Sequence, residues 1–111
     1  MTKVEVFSGI CGFTTRIEVE EKDRYVAVCR MEGECPNCSK VATILVKEPL
    51  NVMDELFRKG QSKVMEACRA NLPHISCPVP AGILKALEVG VNLALPADAS
   101  IRFIKTEKKQ D

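Results

Sequence analysis

The segment RIEVEEKDRYVAVCRM (residues 16–31) decides the fold. Near its start Ile17 and Val19 alternate with charged residues, which is typical of a strand with one buried face. EKDR (21–24) then predicts a polar turn, and YVAVCRM (25–31) predicts the next strand. Because a connection this short cannot support a parallel crossover, the two strands are predicted to be antiparallel.

The flanking sequence extends this hairpin into an α+β domain. KVEVF (3–7) alternates in the same way and predicts a first strand, which gives a three-stranded antiparallel meander. The spacing of apolar residues, the N-cap residues and the prolines then predict about four helices and a short C-terminal strand. The predicted helices cover residues 35–49, 51–60, 62–72 and 77–96, and the strand covers residues 99–105. We expect one domain over residues 1–105 and a charged tail over residues 106–111.

Composition narrows the function classes. The chain has 111 residues and a formal net charge of +1, with 16 basic residues interleaved among 15 acidic ones. Nucleic-acid binding is not expected, because it needs clustered Lys and Arg. No apolar run is long enough to span a membrane and the start does not resemble a signal peptide, so the sequence predicts a cytoplasmic location. No Ser/His/Asp series, phosphate loop or spaced carboxylate pair indicates hydrolytic catalysis.

The six cysteines are the most informative residues. In a reducing cytoplasm they indicate metal binding, redox chemistry or burial rather than a disulfide framework. Cys29 lies in a predicted strand and Cys68 in a predicted helix, where a buried small apolar side chain is the favoured interpretation. Cys11 differs, because in SGICGF (8–13) the glycines around it expose the sulfur and let backbone N–H groups approach it. Cys11 is therefore a candidate ligand or nucleophile.

Three other cysteines fall at predicted helix starts. Cys35 and Cys38 form a C-x2-C pair at the start of the first helix, and Cys77 precedes the last long helix. Helix N-termini favour a thiolate, the form that binds metal. We therefore expect these loops and the Cys11 loop to converge at one end of the sheet. The C-x2-C pair followed by H-x2-C at 74–77 is also consistent with a zinc site, with His74 as a ligand or as a surface residue.

The order of these motifs resembles the NifU/IscU-type iron–sulfur cluster scaffold family. The resemblance rests on CG in the first hairpin loop, on GEC entering a helix, and on LP shortly before a cysteine that opens the last long helix, and it runs roughly over residues 3–95. It implies the scaffold fold, with Cys11, Cys35 and Cys77 holding an iron–sulfur cluster. It also implies a sulfur donor or a cluster-accepting protein as partner. The motifs SGICGF and SCPVPAGILKALEV also resemble a set of small uncharacterised proteins of anaerobes.

The chain departs from the scaffold pattern at several positions. Phe13 stands where the family has an aspartate implicated in cluster release, and Ser76 stands where the family has a histidine before the third cysteine. Cys38 is an additional thiol. A more hydrophobic loop and an extra thiol favour a site that keeps its metal, with Cys38, His74 or a residue from a partner as the fourth ligand.

Two other functions remain open on sequence grounds. CPNC (35–38) at a helix start is typical of thiol–disulfide or sulfur-relay proteins, although the predicted strand order does not fit a thioredoxin-like fold. A zinc-stabilised interaction module would instead have a closed site with four ligands.

Overall fold

The computed structural model describes residues 1–74 and 76–106, and the fold is α+β, as predicted. Within these described residues, four strands and four helices follow one another in the order βββαβααα. The strands are β1 (Thr2–Phe7), β2 (Thr14–Asp23), β3 (Val26–Gly33) and β4 (Leu50–Asn51). The helices are α1 (Pro36–Leu45), α2 (Val52–Phe57), α3 (Lys63–Asn71) and α4 (Val79–Gly90). Residues 107–111 of the predicted tail lie outside the described residues.

The predicted antiparallel meander is confirmed. The sheet has the order β1-β2-β3-β4, and all three strand pairs are antiparallel. Val4 pairs with Ile17, and Thr15 pairs with Gly33. The β2–β3 turn is tighter than EKDR (21–24) suggested, because β2 runs on to Asp23 through a register shift and Tyr25 takes a positive φ of 58°.

Several predicted elements differ from the structure, including the ends of α2 and α4, which lie at Phe57 and Gly90 instead of 60 and 96. Helix α1 ends at Leu45 instead of reaching Pro49, which precedes the short strand β4. Strand β4 was not predicted, and it pairs with the start of β3 through Ala27 and Leu50. Residues 99–105 have no regular secondary structure, so the predicted C-terminal strand is absent. The β3 edge of the sheet is already occupied by β4.

The helices cover one face of the sheet and form the core with it. Ile17 and Val19 on β2, whose alternation predicted a buried face, are buried together with Leu45 on α1 and Leu87 on α4. The partly buried side chains packed around this core include Val4, Val6, Leu56 and Leu84. The opposite face of the sheet is polar and carries exposed charged residues such as Glu5 and Arg30.

Helix α4 lies directly on β1 and β2. A Cβ at Gly82 would come within 2.4 Å of a methyl group of Val6, and one at Gly90 within 2.5 Å of a methyl group of Val19. Glycine therefore allows the helix backbone to approach the sheet at both positions. The first turn of α4 therefore lies against Val6, which pairs with Thr15 on β2. Among the described residues, no helix has the length and apolar character needed to cross a membrane.

Candidate functional site: a group of free thiols at one end of the sheet

The β1–β2 loop presents Cys11 on the surface. Gly9 and Gly12 have φ values of 85° and 77°, which side-chain-bearing residues rarely adopt, and the Gly12 N–H donates to the Gly9 carbonyl at 2.8 Å. The Cys11 side chain is exposed. At the base of this loop the Thr14 N–H donates to a Glu34 carboxylate oxygen at 3.2 Å, which ties the loop to the residue before Cys35.

Cys35 is the N-cap of helix α1. Its sulfur accepts a hydrogen bond from the backbone N–H of Cys38 at 3.5 Å. Pro36 occupies the first turn, where a backbone N–H would have no partner within the helix, so the missing N–H of proline costs nothing. Sulfur thus fills the place that a Ser or Asp oxygen takes in most N-caps. The Cys35 side chain is half-buried, which leaves part of it open to solvent.

Cys38 lies one turn further along and is only 3% exposed. Burial raises the pKa of the Cys38 thiol to about 12, and the neighbouring Cys35 and Cys77 sulfurs add to this rise. Only the Thr15 hydroxyl acts on this pKa in the opposite direction. Cys38 is therefore a neutral thiol at neutral pH, although the sequence predicted a helix start that favours thiolate at this position.

Cys77 joins the group from a different part of the chain. It is half-buried just before α4, and its sulfur contributes to the raised pKa values of both Cys38 and Cys68. Cys77 comes just before the first turn of α4, which lies against Val6 at Gly82. Cys35 and Cys38 are therefore in contact, and Cys77 is near enough to Cys38 to raise the pKa of that thiol; all three were predicted as site residues.

Behind this group, two cysteines continue into the core. Cys68 on α3 is 3% exposed and Cys29 on β3 is fully buried, as the sequence predicted. Burial raises the pKa of Cys68 to about 11 and that of Cys29 to about 12, with smaller contributions from Cys77 and Cys68, respectively. Cys35 and Cys77 thus raise the pKa of Cys38, Cys77 raises that of Cys68, and Cys68 raises that of Cys29.

The remaining two predicted ligands are exposed. The Cys11 loop lies at the same end of the sheet, and His74 follows α3 after Pro73. Within residues 1–74 and 76–106, no group of three or more His, Cys, Asp or Glu side chains is arranged to hold a metal ion. The metal-ligand set of Cys11, Cys35, Cys38, His74 and Cys77 therefore stays a prediction. All six cysteines are free thiols.

Sequence reasoning missed Thr15, whose buried hydroxyl faces Cys38. The alternation along β2 contained the signal, since Thr15 has the same parity as Ile17 and Val19 and must share their buried face. A polar side chain at such a buried position requires a hydrogen-bond partner or a functional role.

The fold and this group of thiols define a small α+β domain with a cysteine-rich end. The chain belongs to DUF6951, a family of unknown function, whose model matches residues 2–103. No curated protein and no solved structure matches the chain.

Proposed function

We propose that the protein binds a soft metal ion or an iron–sulfur cluster at the end of the sheet where Cys35, Cys38 and Cys77 meet. The observation that carries this proposal is the contact between Cys35 and Cys38 at the start of α1, together with the effect of Cys77, a free thiol before α4, on the pKa of Cys38; a fourth free thiol, Cys11, is exposed on a loop at the same end. Thiolates are soft ligands that select zinc or iron–sulfur clusters over hard cations.

The donor set fits such a group chemically. Cys35 and Cys77 are half-buried, so a ligand can reach their sulfurs from solvent, and small cysteine side chains change position by rotation about a single bond. Cys11 is exposed in a loop where a Cβ at Gly9 or Gly12 would have nothing within 4 Å, so the loop has room to approach the same point. Metal binding converts each thiol to a thiolate and releases its proton.

The resemblance to cluster scaffolds gives this site a role. We infer that the protein acts as a scaffold or carrier for a cluster, with a sulfur donor or a cluster-accepting protein as its partner. Phe13, at the position of the scaffold aspartate, is consistent with tight retention of the metal. The fourth ligand at this stage is Cys38, His74 or a residue from the partner.

A thiol-redox function is the second candidate, and one observation favours it. Cys35 is accessible and Cys38 is buried one turn away, an arrangement in which an outer thiol attacks and an inner thiol resolves. The reaction transfers two electrons and two protons from the dithiol to a partner disulfide, which is reduced to two thiols. A closed zinc site in an interaction module would use the same cysteines without exchange.

Anaerobic purification followed by metal analysis and an absorption spectrum tests these functions. Sulfur-to-iron charge-transfer bands after reconstitution with Fe²⁺ and sulfide support a cluster protein, and stoichiometric zinc supports a zinc protein. A protein that retains neither iron nor zinc, and whose Cys35 and Cys38 form a disulfide when a low-molecular-weight disulfide is added as oxidant, contradicts metal binding and supports the redox function.

A further inference from the structure

Strand β1 forms an open edge of the sheet. It pairs with β2 over Thr2–Phe7, and among the described residues no strand pairs with its other side. An edge strand presents unpaired N–H and C=O groups, and proteins usually protect such an edge with a proline, a bulge or a covering element. TKVEVF contains no proline, and its pairing with β2 has no register shift. The edge is therefore regular enough to accept another strand.

The core is incompletely covered along this edge. Val4 and Val6 on β1 pack against the core but are only partly buried, whereas Ile17 and Val19 on the same face of β2 are 0% and 1% exposed. An added strand with apolar side chains on its helix-facing side would cover the two β1 valines, and burial of apolar surface is favourable.

The segment ASIRFIK (residues 99–105) carries that pattern. It alternates as a strand does, yet it has no regular secondary structure in the single chain. The side chains of Ile101 and Phe103 are 86% and 93% exposed. In an extended backbone these two side chains share one face, and Arg102 lies on the other. The segment therefore offers a strand with one apolar face.

The charges on the polar face of the sheet favour the same segment. Glu5 on β1 pairs with Arg16 on β2, and Arg16 pairs with Glu32 on β3. A row of alternating charge thus crosses the sheet and ends on Glu5 at the open edge. Opposite charges on neighbouring strands are favourable, so a strand added beside β1 is most stable with a cation opposite Glu5.

A single alignment meets both requirements. When Arg102 lies opposite Glu5, the residues on either side of Arg102 lie opposite the residues on either side of Glu5. Ile101 and Phe103 then meet the two β1 valines, whichever direction the added strand takes. A shift by one residue would turn Arg102 towards the helices, so the alternation specifies this alignment.

We propose that residues 99–105 of one copy of this chain pair as a strand with β1 of a second copy, reciprocally, in a dimer with twofold symmetry. The segment does not pair with the β1 edge of its own chain. Every copy carries both the edge and the segment, so a twofold arrangement covers both edges. Main-chain hydrogen bonds supply affinity in such pairing, and the alternating side chains supply specificity. None of the paired residues is a predicted metal ligand, so the dimer does not depend on the proposed metal binding.

Sedimentation velocity of the full, reduced, metal-free chain measures the oligomeric state. The wild-type chain should sediment as a dimer at micromolar concentration. Phe103→Asp should raise the dissociation constant of the dimer about 30-fold or more, because it places a charge in the apolar pairing. Leu95→Asp is the matched control, since Leu95 is 87% exposed and lies outside the segment. It should leave the dissociation constant unchanged.

A charge reversal tests the alignment. Arg102→Glu places like charges opposite each other at both copies of Glu5 and should raise the dissociation constant about 2–30-fold. Lys105→Glu makes the same change in net charge at a position opposite Thr2 or Ser8, where no charge faces it, and should have little effect. All the substituted residues are exposed in the single chain, so circular dichroism and the melting temperature of the monomeric variants should show an intact fold.

Hydrogen exchange read by mass spectrometry locates the contact. Amides in residues 2–7 and 99–105 should exchange more slowly in the wild-type chain than in Phe103→Asp at the same concentration, whereas those in α3 should exchange alike. A wild-type chain that is monomeric overturns the proposal, and so does a dimer in which residues 2–7 exchange as fast as in Phe103→Asp. Slow exchange of residues 2–7 in a monomer shows pairing within one chain and overturns the second copy as the occupant of the edge.

Discussion

The Cys35 sulfur accepts a hydrogen bond from the backbone N–H of Cys38 at 3.5 Å, so one cysteine caps the helix turn that buries the other. This relationship gives CPNC an outer and an inner thiol. The outer thiol is half-buried, and the inner thiol is packed against the sheet. The two therefore differ in access to reagents although they are three residues apart.

Differential alkylation measures this difference in access. In the metal-free folded protein, iodoacetamide should modify Cys11 and Cys35 at least about tenfold faster than Cys38, because the buried thiol reacts only after local opening. Peptide mass spectrometry of samples quenched over time gives the rate at each position. Unfolding in urea provides the control, since it should make the rates similar. Equal rates for Cys35 and Cys38 in the folded protein would contradict the structure of the site.

Three buried thiols predict a loss of stability in alkaline solution. The pKa values of Cys29, Cys38 and Cys68 are raised to about 12, 12 and 11 in the folded protein, above an ordinary value of about 9. Unfolding exposes thiols that ionise more easily, so their contribution to stability is complete below pH 9 and is lost as pH rises from about 9 to about 11–12. Each thiol contributes a slope of up to about 1.4 kcal/mol per pH unit in that window.

Urea unfolding of the reduced, metal-free protein at several pH values between 8 and 10.5 measures this slope. The matched control is the double variant Cys29→Ala/Cys68→Ala, which removes two of the three thiols. The part of the pH dependence of the unfolding free energy that is due to cysteine should fall by about two thirds in that variant, whatever its absolute stability. An unchanged slope would show that other groups cause the alkaline loss.

Glu55 supports a separate prediction about the scaffold. Its carboxylate is buried and accepts hydrogen bonds from the Ser62 hydroxyl at 2.9 Å and from the N–H groups of Lys63 and Val64 at 2.9 and 2.8 Å. Glu55 in α2 therefore satisfies donors in the first turn of α3. Glu55→Gln replaces an acceptor with a donor and should lower the free energy of unfolding by about 1–3 kcal/mol.

Chemical denaturation compares this variant with Glu66→Gln, which makes the same change at an exposed position in the first turn of α3. The Glu66 change should cost less than about 0.5 kcal/mol. If both variants lose the same small amount, Glu55 does not hold α2 and α3 together.

The sequence predicted the sheet well because strand periodicity is a local property. Val4, Val6, Ile17 and Val19 alternate with polar residues, so the buried face and the pairing direction follow from the residues themselves. Strand β4 has only two residues, Leu50 and Asn51, which is too short to show alternation. For residues 99–105 the sequence predicted a strand that the structure does not contain. An alternating pattern does not reveal whether a sheet edge is available to pair with the segment.

The candidate site was predictable in part for the same reason. C-x2-C before a helical pattern places Cys35 and Cys38 at a helix start, but the raised pKa of Cys38 depends on its burial and on the neighbouring Cys77 sulfur, which sequence spacing does not contain. The position of Cys77 depends on the approach of α4 to the sheet at Gly82 and Gly90. Long-range contacts of this kind decide which candidate ligands lie near one another, and sequence spacing alone does not predict them.

The central claim is that the thiols at this end of the sheet bind a metal or cluster, and the metal-to-protein ratio of cysteine variants tests it most directly. Replacing Cys11, Cys35 or Cys77 with Ser substitutes a hydroxyl that stays protonated at neutral pH, so each change should abolish or sharply weaken retention. Cys68→Ser is the matched control, since it should leave the ratio intact and cost about 1–3 kcal/mol of stability through its buried hydroxyl. The ratio is measured anaerobically beside a thermal melt. Loss of metal in the Cys35 and Cys77 variants with full occupancy in Cys68→Ser is the predicted result, and equal occupancy in all of them would contradict the account.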